Sequence, residues 1–177
     1  MLTVWLLITL AGGVRPPAST FAPYSVVPNA MARTHLDGFD DFNEASRRVL
    51  FYARAAVSES GGAAITPDHL MLGILRGTPD VVRRFLQSSD SSTDAVTQQV
   101  LTALGTAVRV DESVEIPISP EAEHVLASAV GRARATTART VRPEHILLAL
   151  LETSHTKVAD VLRSHGITAE AVAADVR

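Results

Sequence analysis

Residues 65 to 75, ITPDHLMLGIL, return in altered form as VRPEHILLALL at residues 141 to 151. His69 and His145 stand 76 positions apart, and that offset carries from Phe42 to the end of the chain without a gap. Val49, Leu50 and Ala53 fall on Val125, Leu126 and Ala129, while Pro67, Leu72 and Leu75 fall on Pro143, Leu148 and Leu151. Val82 and Leu86 fall on Val158 and Leu162, and Ala95, Val96 and Val100 on Ala171, Val172 and Val176. The shared positions are of the core type. A duplication that preserves apolar positions describes one helical unit written twice, stacked so that each copy covers the face the other cannot bury alone.

Each copy reads as helix throughout. Apolar residues at 45, 49, 50, 53, 56 and 57 keep the helical period from Asn43 to Ser60, and Gly61-Gly62 stops the run. Thr66 is placed to cap a second helix, Pro67 suits its first position, and Asp68 complements its positive end. Leu70, Met71, Leu72, Ile74 and Leu75 leave this helix almost no polar face, which predicts near-complete burial. Helices about Asp80 to Gln87 and Thr93 to Leu104 complete the copy. The second copy predicts helices over Ser119 to Thr136, Pro143 to Leu151, Thr156 to Ser164 and Thr168 to Val176. The expected fold is therefore all-α, an eight-helix pseudo-twofold bundle. Repeat one spans 42–104, a polar linker 105–117 and repeat two 118–177.

Residues 1–41 are expected to form an N-terminal extension, disordered and outside this fold. Leu2 to Ala11 is apolar but lacks a basic residue before it, is too short to span a bilayer, and precedes a poor cleavage pattern. The expectation is an extension upstream of a start at Met31, with a cleaved signal the weaker reading and a membrane anchor the weakest. A net charge of −3 and a pI of about 6.0 give no basic surplus to draw the chain to nucleic acid or to a membrane surface. The chain has no cysteine, which excludes a thiol nucleophile and a thiolate metal site.

The motif pairs TPDHLMLGIL with VVRRFL, and PEHILLALL with VADVL, resemble the N-terminal domain of the Clp (Hsp100) ATPases of the ClpA, ClpB and ClpC type. The resemblance covers residues 42–177 and implies two four-helix Clp-type repeats. No G-x-x-x-x-G-K-[ST] phosphate loop accompanies them, so the resemblance implies a cytoplasmic, non-catalytic docking module without the ATPase. Its implied partners are protein substrates or adaptors, or a Clp ATPase itself. No cofactor and no enzymatic turnover are expected. A helical nucleic-acid-binding regulator is the alternative, because Pro143 to Ser164 mimics a helix-turn-helix; it suffers from the missing positive charge.

By the same resemblance Asp68 and Glu144 are candidates for binding phosphoarginine or a peptide, with Thr66 and Arg142 beside them. A carboxylate pairs with a guanidinium, and a helix start receives phosphate. The proline before each acid removes a backbone donor. Against the ligand role stands the plainer one, two acids that complement helix ends, with Arg142 pairing Glu144 internally. His69 and His145 lack partners at metal-ligand spacing and are expected to bond locally to backbone. His35, His124, His155 and His165 are expected on the surface. Arg132, Arg134, Arg139 and Arg142 predict a solvated basic edge on repeat two.

Overall fold

The computed structural model describes residues 39–86, 91–105, 116–136, 140–153 and 156–177. The apolar run Leu2 to Ala11, Met31, His35, Arg139, His155 and the acidic part of the linker lie outside them. Eight helices and no strand occur among the described residues. They are α1 (Glu44–Ser60), α2 (Pro67–Gly77), α3 (Pro79–Arg83), α4 (Thr93–Leu104), α5 (Pro120–Ala135), α6 (Pro143–Glu152), α7 (Lys157–Ser164) and α8 (Ala169–Asp175). No helix among the described residues is long and apolar enough to cross a membrane.

The caps are local and repeat with the offset. Asn43 Oδ1 accepts from Ser46 N at 2.8 Å, and its counterpart Ser119 Oγ accepts from Ala122 N at 3.2 Å. Ser92 and Thr168 cap α4 and α8 in the same way, at 3.1 and 3.3 Å. Each hydroxyl or amide satisfies a donor that the first turn leaves without an intrahelical partner. Gly61 and Gly105 end α1 and α4 at φ 78° and 75°, a conformation glycine adopts without the penalty of a side chain.

The apolar faces of α1 and α2 pack together, as do those of α5 and α6, and α2 meets α6 across the two copies. Leu70, Met71, Leu72, Ile74, Ile146, Leu147, Leu148 and Leu150 are fully buried there. Burying each such side chain contributes roughly 1.5–3 kcal/mol, so these two short helices form the centre of the core. Around them α4 packs on α2 and on α7 of the other copy, and α8 packs on α6.

Two parallel bridges lock the copies together, and each is the image of the other. Phe42 pairs with Val141 and Ile65 pairs with Ile118, so each copy's entry segment pairs with the segment before the other's central helix. Val141 N donates to Asp41 O at 2.6 Å and Asn43 N to Val141 O at 3.1 Å. Ile65 N donates to Pro117 O at 2.8 Å and Ser119 N to Ile65 O at 2.9 Å. All eight residues obey the 76-residue offset, which makes the contact isologous within one chain.

Two expectations need correction. The third helix begins at Pro79 and ends at Arg83, short of Gln87; Phe85 N turns to Val82 O and Leu86 N to Arg83 O, tight turns that aim Val81, Val82 and Phe85 inward. His165 is buried, not at the surface: Ser91 Oγ lies 3.1 Å from its Nδ1, and its Nε2 has no partner among the described residues. It follows α7 directly as the residue that ends that helix.

Candidate functional site

The starts of α2 and α6 carry the candidate residues, and both are built by the same local device. Thr66 and Arg142 hold extended backbone, proline follows, then the acid, then histidine. The imidazole reaches back to the cap: Thr66 N donates to His69 Nδ1 at 3.2 Å, and Arg142 N donates to His145 Nδ1 at 2.9 Å. This is the returning half of a capping box, with histidine where glutamate or glutamine is usual; the guanidinium of Arg142 offers no acceptor to complete the other half.

That geometry sets the tautomer. With Nδ1 accepting from backbone, each neutral ring keeps its proton on Nε2. His69 Nε2 therefore donates to Ser60 Oγ at 3.2 Å, while Ser60 Oγ itself donates to Ala56 O at 2.7 Å. A ring so arranged cannot take the serine proton, and the pair is structural. Burial holds His69 neutral by lowering its pKa to about 4. His145 is lowered too, first by burial and then by the charge of Arg142.

The two acids occupy equivalent positions but differ in their surroundings. Glu144 is only 8% exposed, and Arg84 Nη2 donates to its Oε1 at 2.5 Å. Nη1 of the same guanidinium lies 3.4 Å from Asp175 Oδ2, and Phe85 lies beneath it with the ring centroid 5.7 Å away. The expected internal pairing of Glu144 with Arg142 is thus replaced: the partner comes from the other repeat, 60 residues away. Arg142 is half-buried, and its Nε has no partner among the described residues.

Asp68 has no such cation among the described residues. Its Oδ1 is buried without a hydrogen-bond partner among the described residues. Desolvation raises its carboxyl above the ordinary aspartate value; its own backbone N–H and the charge of Lys157 pull the other way without cancelling that. Lys157 Nζ is committed to Ala103 O at 3.1 Å. Thr66 sits beside Asp68, with its hydroxyl 2.7 Å from His69 Nδ1.

A largely apolar groove of about 540 Å³ opens between α1, α2 and α4, floored by Ala56, Leu72 and Leu101 and edged by Ser60. Glu59 and Arg76 pair at its rim at 2.7 Å. In repeat two the position of Ala56 is Arg132, which pairs with Glu152 at 2.5 Å. Arg134 likewise pairs with Asp41 at 2.9 Å, so acids offset much of the expected basic edge.

Of the predicted residues, Thr66 and Asp68 share one helix start and Arg142 and Glu144 the other. Sequence reasoning missed Arg84 and Asp175. A signal existed: under the offset, Arg84 falls on Asp160 and Asp175 on Gln99, a break of symmetry beside an otherwise duplicated site.

The same arrangement of helices recurs in known proteins. The N-terminal domain of the chaperone ClpD from Arabidopsis thaliana matches with a TM-score of 0.59 at 21% identity, over 78% of this chain and 93% of that one. The Hsp104 N-terminal domain from Candida albicans matches with a TM-score of 0.63 at 18% identity, over 77% and 89%. An uncharacterised protein of Mycobacterium tuberculosis is 34% identical over 129 residues, which cover 71% of this chain and 50% of that protein. The "negative regulator of genetic competence ClpC/MecB" of Bacillus subtilis is 25% identical over 130 residues, 73% of this chain and 16% of that protein. The chain thus spans about half the length of its mycobacterial relatives. The profile of the Clp repeat (R) N-terminal domain matches residues 41–165, and with the duplicated four-helix unit and its paired helix starts already in view, the chain belongs to that family.

Proposed function

We propose that this protein is a non-catalytic, cytoplasmic docking module that holds protein substrates or adaptors of a Clp chaperone–protease system, or a Clp ATPase itself. The starts of α2 and α6 receive arginine-bearing segments, and the groove beside α1 and α4 accommodates apolar side chains next to them. The observation that carries this reading is the Arg84–Glu144 contact: a buried carboxylate at a helix start already holds a guanidinium that approaches from solvent. Charge-assisted pairs of this kind are strong and directional. Phosphoarginine extends the same chemistry, with the carboxylate taking the guanidinium and amides of the helix start facing the phosphate.

Calorimetric titration with a phosphoarginine tetrapeptide tests the reading. Saturable binding is expected, weakened at least about tenfold when a charged carboxylate contact is removed, a loss of roughly 1.5–3 kcal/mol. No binding to the parent protein or to any acid variant sinks it. The nucleic-acid alternative has the pI of about 6.0 against it; a salt-dependent gel shift at low ionic strength would restore it.

A further inference from the structure

We infer that the outward face of α1 is a separate docking surface, which takes an acidic helical segment of a partner protein with an apolar residue seated on Phe51. It uses none of the residues at the starts of α2 and α6 and none that line the groove.

The 76-residue offset supplies an internal control. On the buried side of the first helix of each copy, Val49, Leu50 and Ala53 recur as Val125, Leu126 and Ala129. On the outward side the identities change. Arg47, Arg48 and Phe51 stand where α5 has Glu123, His124 and Ala127, and Arg54 stands where α5 has the half-buried Val130. Both helices form, and both pack on their central helix, so the fold itself does not require these four residues. Phe51 is 68% exposed, the one large apolar side chain left so among the described residues. Phenylalanine is also a poorer helix former than the alanine that serves at 127. An aromatic ring that contributes little to folding and is flanked by arginines has the composition that protein interfaces bury at their centre.

The face is ordered along its length. Arg47, Phe51 and Arg54 are exposed and follow at i, i+4 and i+7, one stripe of α1 about 10 Å long. Tyr52 meets the Phe51 ring edge-on, with centroids 5.5 Å apart and planes at 77°. Tyr52 is itself half-buried against α2, where a Cβ built on Gly77 would lie 3.2 Å from its Cδ2, so it props the ring in place. Arg48 pairs with Glu44 at 3.3 Å, but the Glu44 side chain is 92% exposed, and such a pair is readily exchanged. Arg47 donates to the carbonyl oxygens of Phe39 and Asp40 at 3.3 and 3.5 Å, bonds that leave its charge in place. Three guanidinium groups against the one carboxylate of Glu44 make this face of α1 positive in a chain of net charge −3.

Charge complementarity then selects the occupant. A cation, a ring and a cation in that order match an acid, an apolar residue and an acid at the same spacing, which a partner helix presents at i, i+4 and i+7. A second copy of this chain does not fit. Packed about a twofold axis at Phe51, antiparallel helices set Arg48 against Arg54 of the second copy, and parallel ones set each arginine against itself. A nucleic acid supplies the negative charge, but a long polyanion also meets the net −3 of the whole chain, whereas a short acidic helix meets only the local arginines.

The test is fluorescence anisotropy of the full chain with a labelled 14-residue helical peptide that carries leucines along one stripe and glutamates on either side of them. Saturable binding at about 100 µM or tighter is expected. Phe51→Ala, which installs the repeat-two residue, and Arg47→Gln/Arg54→Gln are each expected to weaken it at least about tenfold. Arg83→Gln, which removes one exposed charge from α3, leaves it unchanged, and thermal melts confirm that each variant folds. Absence of binding by the parent overturns the inference, as does undiminished binding by Phe51→Ala. Equal binding of a peptide with serine for leucine also overturns it, since charge alone would then suffice, and so does tighter binding of a 12-nucleotide single-stranded DNA. The phosphoarginine peptide is expected to bind the parent and Phe51→Ala alike, so either docking surface can fail without the other.

Discussion

His69 shows how one side chain can serve two scales of stability. Its ring closes the α2 cap and is 2% exposed, with a pKa lowered by burial from 6.5 to about 4. The folded chain thus accepts this proton only at lower pH than the unfolded chain. The stability is complete above about pH 6.5 and declines as pH falls toward about 4, by a few kcal/mol for such a ring. His145 acts in the same direction. His69→Gln keeps an acceptor at the third helical position but does not titrate. Urea unfolding at pH 7 and pH 5 is expected to show a smaller difference for the variant than for the parent. Asp68 has the opposite sign, since burial raises its carboxyl and its charge costs stability at neutral pH. Asp68→Asn is expected to stabilise the fold at pH 7 by about 1 kcal/mol at most, read as a higher urea midpoint, while weakening peptide binding. The acids and histidines were legible as residues because first-turn chemistry is local. Their fates were not, since the Arg84 contact joins residues of different repeats.

The central helices show what the duplication preserved and what it relaxed. A Cβ built on Gly73 would lie 2.3 Å from Val49 O and 3.2 Å from Ala53 Cβ, so α2 approaches α1 backbone to backbone. Repeat two has Ala149 at the corresponding position, and α5 and α6 accommodate that methyl group. Gly73→Ala should therefore cost roughly 1–3 kcal/mol by overpacking, read as a lower thermal midpoint. Gly131, on the exposed face of α5, has nothing among the described residues within 4 Å of a built Cβ. Gly131→Ala should raise stability by about 0.5–1 kcal/mol through helix propensity and a less entropic unfolded chain. The eight helices were readable from apolar periods and caps. The early end of α3 was not, because Phe85 leaves the helical path to reach the core.

At the scale of the molecule, the two copies depend on each other. Leucines and isoleucines on α2 face α6, and each bridge draws one strand-like segment from either copy. Residues 39–105 alone would expose that apolar face and leave Phe42 and Ile65 unpaired. Such a fragment is expected to melt without a cooperative transition by circular dichroism, whereas the two-repeat chain unfolds as one unit. The same mutual dependence explains why the candidate sites lie where they do: the helix starts follow directly on the bridging residues Ile65 and Val141, so docking the repeats also positions the acids.

Period, capping residue and duplication act over a few residues or at a constant offset, and the chain alone therefore determined an all-helical pair of four-helix units with acids at matched helix starts. Tertiary structure decided what those units do with their symmetry. It brought Arg84 to Glu144, left Asp68 Oδ1 without a donor among the described residues, buried His165, and kept a groove open where Ala56 rather than Arg132 stands. Those outcomes depend on side chains far apart in sequence meeting in a low-dielectric seam, where a single charge placed on one copy and not the other makes two matching sites unequal.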